Sequence, residues 1–379
     1  MGYVAVRGGS EAIEASIERL KYGRLRKGRI LDVAAVEAGM RALIDQVMSE
    51  ASLYDEGMAA ISIKQAEGSP EEAVFLMRAF RSTLPRSHYS LAIDTRRMRV
   101  ERRISASFKD IPGGQILGAS CDYTHRLIDS GLLEETEEQA ARWVEDYLGA
   151  SETGAPEIAS GREFGNPPEE ASPVSAIDYV RALGLLKYRP IDDAEPRDVT
   201  KRAIEFPASR SERLQILARG QTGAVTALGY AAIRGYGATL HPTVGELRVG
   251  KVAVYVPDPF AASTGEARED AYYVGEVRIT AVETLVPVSV RRGPDKTEIE
   301  FDLGFGASFG QNETKAIAVS LLDQCLEASE KKYTTQDEEF VLLHVDSVEA
   351  TGFISHLKLP HYVSFQSKLD GVRKARGSK

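Results

Sequence analysis

Thr297-Glu-Ile-Glu-Phe-Asp-Leu-Gly-Phe-Gly-Ala-Ser-Phe309 places apolar side chains at Ile299, Phe301, Leu303 and Phe305, with Glu300, Asp302 and Gly304 between them. Strict alternation over this length is the signature of a strand whose two faces meet different environments, here read as a sheet with one wet face. The same period of two runs through Val252, Val254 and Val256, and through Val277, Ile279 and Ala281. Outside roughly 250–310 the period lengthens. Ile13, Ile17 and Leu20 recur at helical spacing, as do Val36, Met40, Leu43, Val47 and Met48. Ser69-Pro-Glu-Glu72 combines a capping serine, proline at the first helical position and glutamate three residues on. Ser209-x-x-Glu212 repeats that signature, and Asn312 opens a helix through Leu326. Helices gathered around one antiparallel segment predict an α+β fold, mainly helical, with one antiparallel sheet in the second half.

The chain divides into a helical N-terminal region (1–148), an insertion (149–173) and an α+β region ending in a helical block (174–379). The insertion holds four glycines, four prolines and five glutamates with hardly any core-forming residue. Such a composition cannot offset chain entropy by burial, which predicts a mobile, exposed segment.

Composition narrows the function. The 379 residues carry 47 Lys and Arg against 56 Asp and Glu, a net charge of −9, which argues against nucleic-acid or acidic-membrane binding. Two cysteines, Cys121 and Cys325, make neither a disulfide framework nor a four-thiolate metal site. No apolar run spans a bilayer and the N-terminus has no secretory pattern, so a cytoplasmic protein is expected. The phosphate loop, the dinucleotide fingerprint, the zincin motif and the nucleophile elbow are all missing.

Three clusters carry chemistry. Arg96, Arg97, Arg99, Arg102, Arg103 and Lys109 crowd together just before Asp110-Ile-Pro-Gly-Gly-Gln115 and Asp122-Tyr-Thr-His-Arg126. Concentrated cations followed by paired glycines suit anion binding, because arginine grips phosphate bidentately and glycines let backbone N–H groups converge. A solvated basic helix face followed by a turn has the same residue content. Arg102, Arg103 and Lys109, with Gly113 and Gly114 as backbone donors, are the expected anion site on one concave surface. Asp122, His125 and Arg126 are expected beside the same ligand. A second set, Arg210, Arg213 and His241, lies among glycines and is expected to serve the same site, although glycine-rich helix junctions look alike. The third cluster holds three of the six histidines: His344, His356 and His361. His344 falls on an apolar face and reads as a core residue. Pro360 bends the chain between His356 and His361, so both rings can reach one ion, though two nitrogens leave a tetrahedral zinc incomplete.

Taken in order, ERRISASFKDIPGGQILG, DYTHRL, SRSERLQ, RGYG, QDEEFVLLHVDSVEATGF and SHLKLPHYVSFQ resemble the I subunit of the bacterial carbon–phosphorus lyase machinery. The likeness begins at Tyr3 and persists to about Gln366, weakening at 149–173 and 255–298. It implies a transferase subunit that, with companions, converts ATP (carrying Mg2+) and an alkylphosphonate into ribose 1-alkylphosphonate 5-triphosphate and adenine. Alone, such a subunit is a purine nucleosidase, with water in place of phosphonate. Implied partners are the other core subunits, among them a radical-SAM protein, and an ATP-binding-cassette subunit. Zinc at His356 and His361, close to the radical partner, is implied as well. The alternative is a non-catalytic scaffold within that complex.

Overall fold

The computed structural model describes residues 9–151, 174–190, 194–237, 240–258, 271–294 and 296–377. Their helices are α1 (Gly9–Leu25), α2 (Val33–Gly39), α3 (Arg41–Ala51), α4 (Glu56–Gln65), α5 (Pro70–Thr83), α6 (Glu137–Ser151), α7 (Ala176–Ala182), α8 (Arg210–Arg219), α9 (Thr222–Ala231), α10 (Glu313–Leu326), α11 (Glu338–His344), α12 (Ser347–Ser355) and α13 (Tyr362–Gly377). The strands are β1 (Arg99–Ile104), β2 (Thr243–Pro257), β3 (Ala271–Arg291) and β4 (Thr297–Phe309). The class is α+β, as the two periodicities predict.

Two units are formed. One combines the chain through Pro85 with 219–224 and 339 onward; the other combines 86–218 with 225–338. In the first, α2 to α5 bury Val36, Ile44, Val47, Met48, Ala59, Ile63, Val74 and Met77 in one core. Sequence capping signals are realised: Ser69 Oγ accepts from the Glu72 N–H at 3.4 Å with Pro70 opening α5. Met40 interrupts what the spacing reads as one helix, giving α2 and α3. The C-terminal block likewise splits, into α11, α12 and α13.

In the second unit the strands run antiparallel in the order β1-β2-β3-β4. One antiparallel sheet is formed, as expected, with β2, β3 and β4 in the second half; its β1 edge, Arg99–Ile104, comes from the region read as helical. Alternating charge hid that strand: Arg99, Glu101 and Arg103 carry no apolar period. Each sheet edge carries one isolated bridge, Arg103 to Ile116 on β1 and Phe301 to Leu186 on β4. One expectation is corrected, that of the buried face of β4, whose period is two but whose buried set is Glu300, Asp302, Gly304, Gly306 and Ser308; Ile299 is 74% exposed. Helix α10 lies on that face, and only glycine admits it: a Cβ on Gly304 would stand 2.2 Å from Ser320 O, and one on Gly306 2.0 Å from Ala316 O. Asp302 is held by Arg189 at 2.8 Å, and Gln324 Nε2 donates to its carbonyl at 2.8 Å. Phe301, Leu303 and Phe305 pack on the other face. Of the predicted mobile insertion, 152–173 lies outside the described residues.

The face under α10 carries Leu247, Val249 and Val282 against Ala316. The opposite face sets a polar patch of Glu246, Arg248 and Glu283 between apolar clusters around Val252 and Ala281 and around Ile177 and Leu285, and α7 and the Asp94–Arg97 turn stand beside it. Gly306→Ala should lower unfolding free energy by about 1–3 kcal/mol through overpacking against the α10 backbone, measured by urea denaturation.

Candidate functional site

Successive side chains of a strand point to opposite faces. Arg102 and Arg103 therefore part company. Arg102 turns to the α10 side, where Nε meets Glu313 at 2.9 Å and NH2 meets Asp122 at 3.1 Å; Leu117 O accepts from it and Tyr123 lies beneath. Arg103 turns to the polar face, fully buried, and donates to Glu246, to the carbonyls of Pro112 and Gly114, and to Val174 O at 2.9 Å. The expected single concave surface is not formed. Gly113 and Gly114 do take positive φ (79° and 74°), but Gly114 turns its carbonyl to Arg103 while its N–H donates to Ile111 O. That turn wraps a cation with oxygens, the reverse of an anion cradle. Lys109 is exposed beside it.

The remaining sequence candidates are also committed elsewhere. Asp122 bridges Arg102 and the exposed Arg126 (3.2 Å), and His125 is exposed in the same loop. Arg210 pairs bidentately with Asp323, at 3.0 and 2.7 Å. Arg213 is held by Glu327 and Glu338, under the cap in which Ser209 and Glu212 exchange hydrogen bonds. His241 is exposed, its Nδ1 2.9 Å from Pro242 O.

A cavity of 380 Å³ instead opens on the polar sheet face, within the range of small-molecule sites. Glu246 and Arg248 of β2, Ala281 and Glu283 of β3, and Phe305 of β4 form its floor; Ser175, Asp178 and Arg181 line it from α7 and its cap, with Asp94, Thr95 and Arg96 alongside. The cross-strand register sets Glu246 opposite Glu283 and Glu283 opposite Phe305. A register shift at Gly245 aims Glu246 inward, and glycine at the bulge leaves room for Ile177, whose Cδ1 would stand 2.3 Å from a Cβ there. Glu246 is 2% exposed and accepts from Arg103, Arg248 Nε (2.9 Å), Ser175 Oγ (2.6 Å) and Ala176 N–H (3.0 Å). Burial works against its charge, yet the donors from Arg248, Ser175 and Arg103 outweigh it and hold the carboxyl below its ordinary range. Glu283 goes the other way: burial first, then repulsion by Glu246, raise it against the pull of Arg181, Arg248 and the Ser175 hydroxyl. Of these residues the sequence reading noticed only Arg96 among the cations. The signal was there in Glu246-x-Arg248, two charges on one strand face.

The histidines form a second site. His356 caps α12 and His361 precedes α13, with ring centroids 5.4 Å apart. His361 Nδ1 lies 2.6 Å from Leu359 O and His356 Nδ1 beside Phe353 O, which fixes Nδ1 as the protonated atom and leaves both Nε2 atoms for a ligand. Two imidazoles on one tetrahedral ion have centroids about 5 Å apart, and the ring spacing of this pair is of that size. Among the described residues no group of three or more His, Cys, Asp or Glu side chains is assembled for a metal. His344 is not a core residue: it is exposed and stacks on Phe340, with centroids 4.5 Å apart.

Arg103→Ala should cost about 3–5 kcal/mol, because it leaves Glu246 buried with one cation fewer. Arg126→Ala, at an exposed ion pair, should stay within about 0.5 kcal/mol. Thermal and urea unfolding of the two variants checks the contrast.

Comparison with known proteins agrees across the whole length. The chain is 41% identical over 389 residues to the alpha-D-ribose 1-methylphosphonate 5-triphosphate synthase subunit PhnI of Rhizobium meliloti (strain 1021), covering 99% of this chain and 95% of that one. It is 40% identical to the Escherichia coli (strain K12) protein of the same name, covering 98% of each. The model of the bacterial phosphonate metabolism protein (PhnI) matches residues 2–379. At that coverage and identity, the chain belongs to the PhnI family of bacterial phosphonate metabolism proteins.

Proposed function

We propose that the chain is a subunit of an alpha-D-ribose 1-methylphosphonate 5-triphosphate synthase in a C-P lyase complex, and that it carries out the displacement of adenine from ATP by an alkylphosphonate. The near-full-length 41% identity to a synthase subunit carries the reading. The surface supports the subunit role. Ile13, Ile17 and Leu20 on α1, Trp143 on α6, and Phe353, Ile354, Leu357, Val363 and Phe365 around the histidines are 59–77% exposed. Apolar surface of that extent marks faces built to be covered by partners. No helix among the described residues is long and apolar enough to cross a membrane.

The reaction asks for specific residue types. A phosphonate oxygen attacks the anomeric carbon as the purine leaves, through an oxocarbenium-like transition state. The nucleophile is already ionised and needs no strong base. Bringing it beside a triphosphate needs cations, and Arg96 and Arg181 are the exposed ones at the cleft (side chains 70% and 52% exposed), which would exchange their ion pairs with Asp94 and Asp178 for phosphate. Mg2+ comes with the ATP. In this reading the Glu246 carboxylate stabilises the ribosyl cation from the cavity floor, and Phe305 of the same floor gives the base an apolar wall.

Zinc is proposed on His356 Nε2 and His361 Nε2, with its other ligands from the radical-SAM partner, substrate or water. When bound, it supplies a Lewis acid at that interface. An ATP-binding-cassette subunit is the further partner in this reading, and the cytoplasm its compartment.

Adenine release from ATP by the purified chain, and ribosyl product with methylphosphonate once companion subunits are added, are the expected results by chromatography. An assembled complex with no release, alone or with companions, would show a scaffold instead. A His356→Ala, His361→Ala double variant should lose stoichiometric zinc from the complex while the isolated chain keeps its adenine release; metal analysis of both checks this.

A further inference from the structure

Ser175 lies between two carboxylates. Its Oγ is 2.6 Å from Glu246 Oε2 and 3.3 Å from Glu283 Oε2, and it also accepts the Ile177 N–H at 3.2 Å. A serine hydroxyl has one proton to give and two lone pairs. The proton goes to Glu246 at the shorter distance, and Ile177 takes one lone pair. The remaining lone pair faces Glu283. An ionised Glu283 would set oxygen lone pair against oxygen lone pair, whereas a protonated Glu283 donates and completes the chain Glu283 O–H to Ser175 O–H to Glu246. The two glutamates are also direct cross-strand partners, a placement in which like charges repel.

From this arrangement we infer that Glu283 is a catalytic residue of the cleft, the general acid that protonates the departing purine. The inference rests on the synthase reading above. Glu246 is the permanently charged member of the pair, since its four hydrogen bonds exhaust its lone pairs. Two carboxyls with opposite tendencies in one cleft is the arrangement that divides acid from electrostatic stabiliser in glycoside chemistry. Glu283 differs in being half-buried on the cavity floor, next in its cross-strand row to Phe305, where an aromatic ring offers a purine a flat partner.

The step balances as follows. The C1′–N9 bond breaks and its electron pair stays on the purine, while the Glu283 carboxyl proton moves to ring nitrogen N7, so adenine departs neutral. A lone pair of the phosphonate oxygen forms the new bond to C1′. Glu283 is left as a carboxylate and regains its proton from water. Burial and Glu246 favour that return; Arg181 of α7 and Arg248 of β2 oppose it. Asp178 of α7 and Asp94 and Arg96 of the neighbouring turn complete the charges around the cleft.

Glu283→Gln tests this without threatening the fold, because the amide keeps a donor for Ser175 and, like the protonated acid, carries no charge to repel Glu246. With ATP, kcat/KM of the full-length chain should fall by about 10²–10⁴-fold, the usual contribution of a general acid. With N7-methylguanosine 5′-triphosphate, whose base already carries the charge and leaves without a proton, the variant should stay near wild type. Wild-type kcat/KM on ATP should decline as pH rises through the raised Glu283 value, because the acid form is required, and the methylated substrate should lack that limb. An equal loss on both substrates would make Glu283 a structural residue, and no loss on ATP would remove it from the chemistry; either overturns the assignment. Wild-type chain that releases neither base, alone or with its companions, would overturn the synthase reading itself.

Discussion

The buried ion pair between Arg103 and Glu246 is the interaction on which the second unit turns. It joins β1 to β2, and Arg103 ties in the carbonyls of Pro112, Gly114 and Val174. Glu246 in turn takes the serine cap and the first N–H of α7. Removing two charges from water is expensive, and only a full set of hydrogen bonds offsets it. The set is nearly complete here, which determines where α7 starts and how the turn at 112–114 folds. It also means that a polar patch persists on this sheet face beside the apolar contacts that α7 makes with Leu285 and Leu303.

That polar face has a chemical consequence. Glu246 is saturated by donors, so Glu283, one strand over, is the carboxyl left to respond to its surroundings. Its neighbours push it toward the proton-bearing form while Arg96 and Arg181 stay accessible at the cleft. One cleft thereby combines a carboxyl raised toward its acid form, a fixed negative charge, and two partly exposed arginines paired to Asp94 and Asp178. The histidine pair belongs to a different part of the chain, among exposed apolar side chains.

Residues legible in the sequence were those whose information is local. Ser69-Pro-Glu-Glu72 and Ser209-x-x-Glu212 mark helix starts because capping is settled within four residues. The alternation at 299–305 gave a strand for the same reason, and the bend at Pro360 lies between the two histidines. The family strings identified the phosphonate metabolism lineage, since they run in order along nearly the whole chain.

Which face of each strand is buried was not local, and there the sequence misled. Glycines at 304 and 306 read as gaps in a polar face, yet they are the groove into which α10 descends, so Glu300 and Asp302 are inside and Ile299 outside. Arg102 and Arg103 read as one cationic patch, but a strand sends neighbours to opposite sides, and their acceptors come from Glu313 and from Glu246, far along the chain. The pairing of Glu246 with Glu283 depends on strand register and a glycine bulge, neither of which has a sequence period. By itself the sequence determined helix caps, strand periodicity and family membership, because each depends on residues within a few positions of one another or on their order. Tertiary structure alone decided which charges meet, because the energy of a buried charge depends on what surrounds it in space.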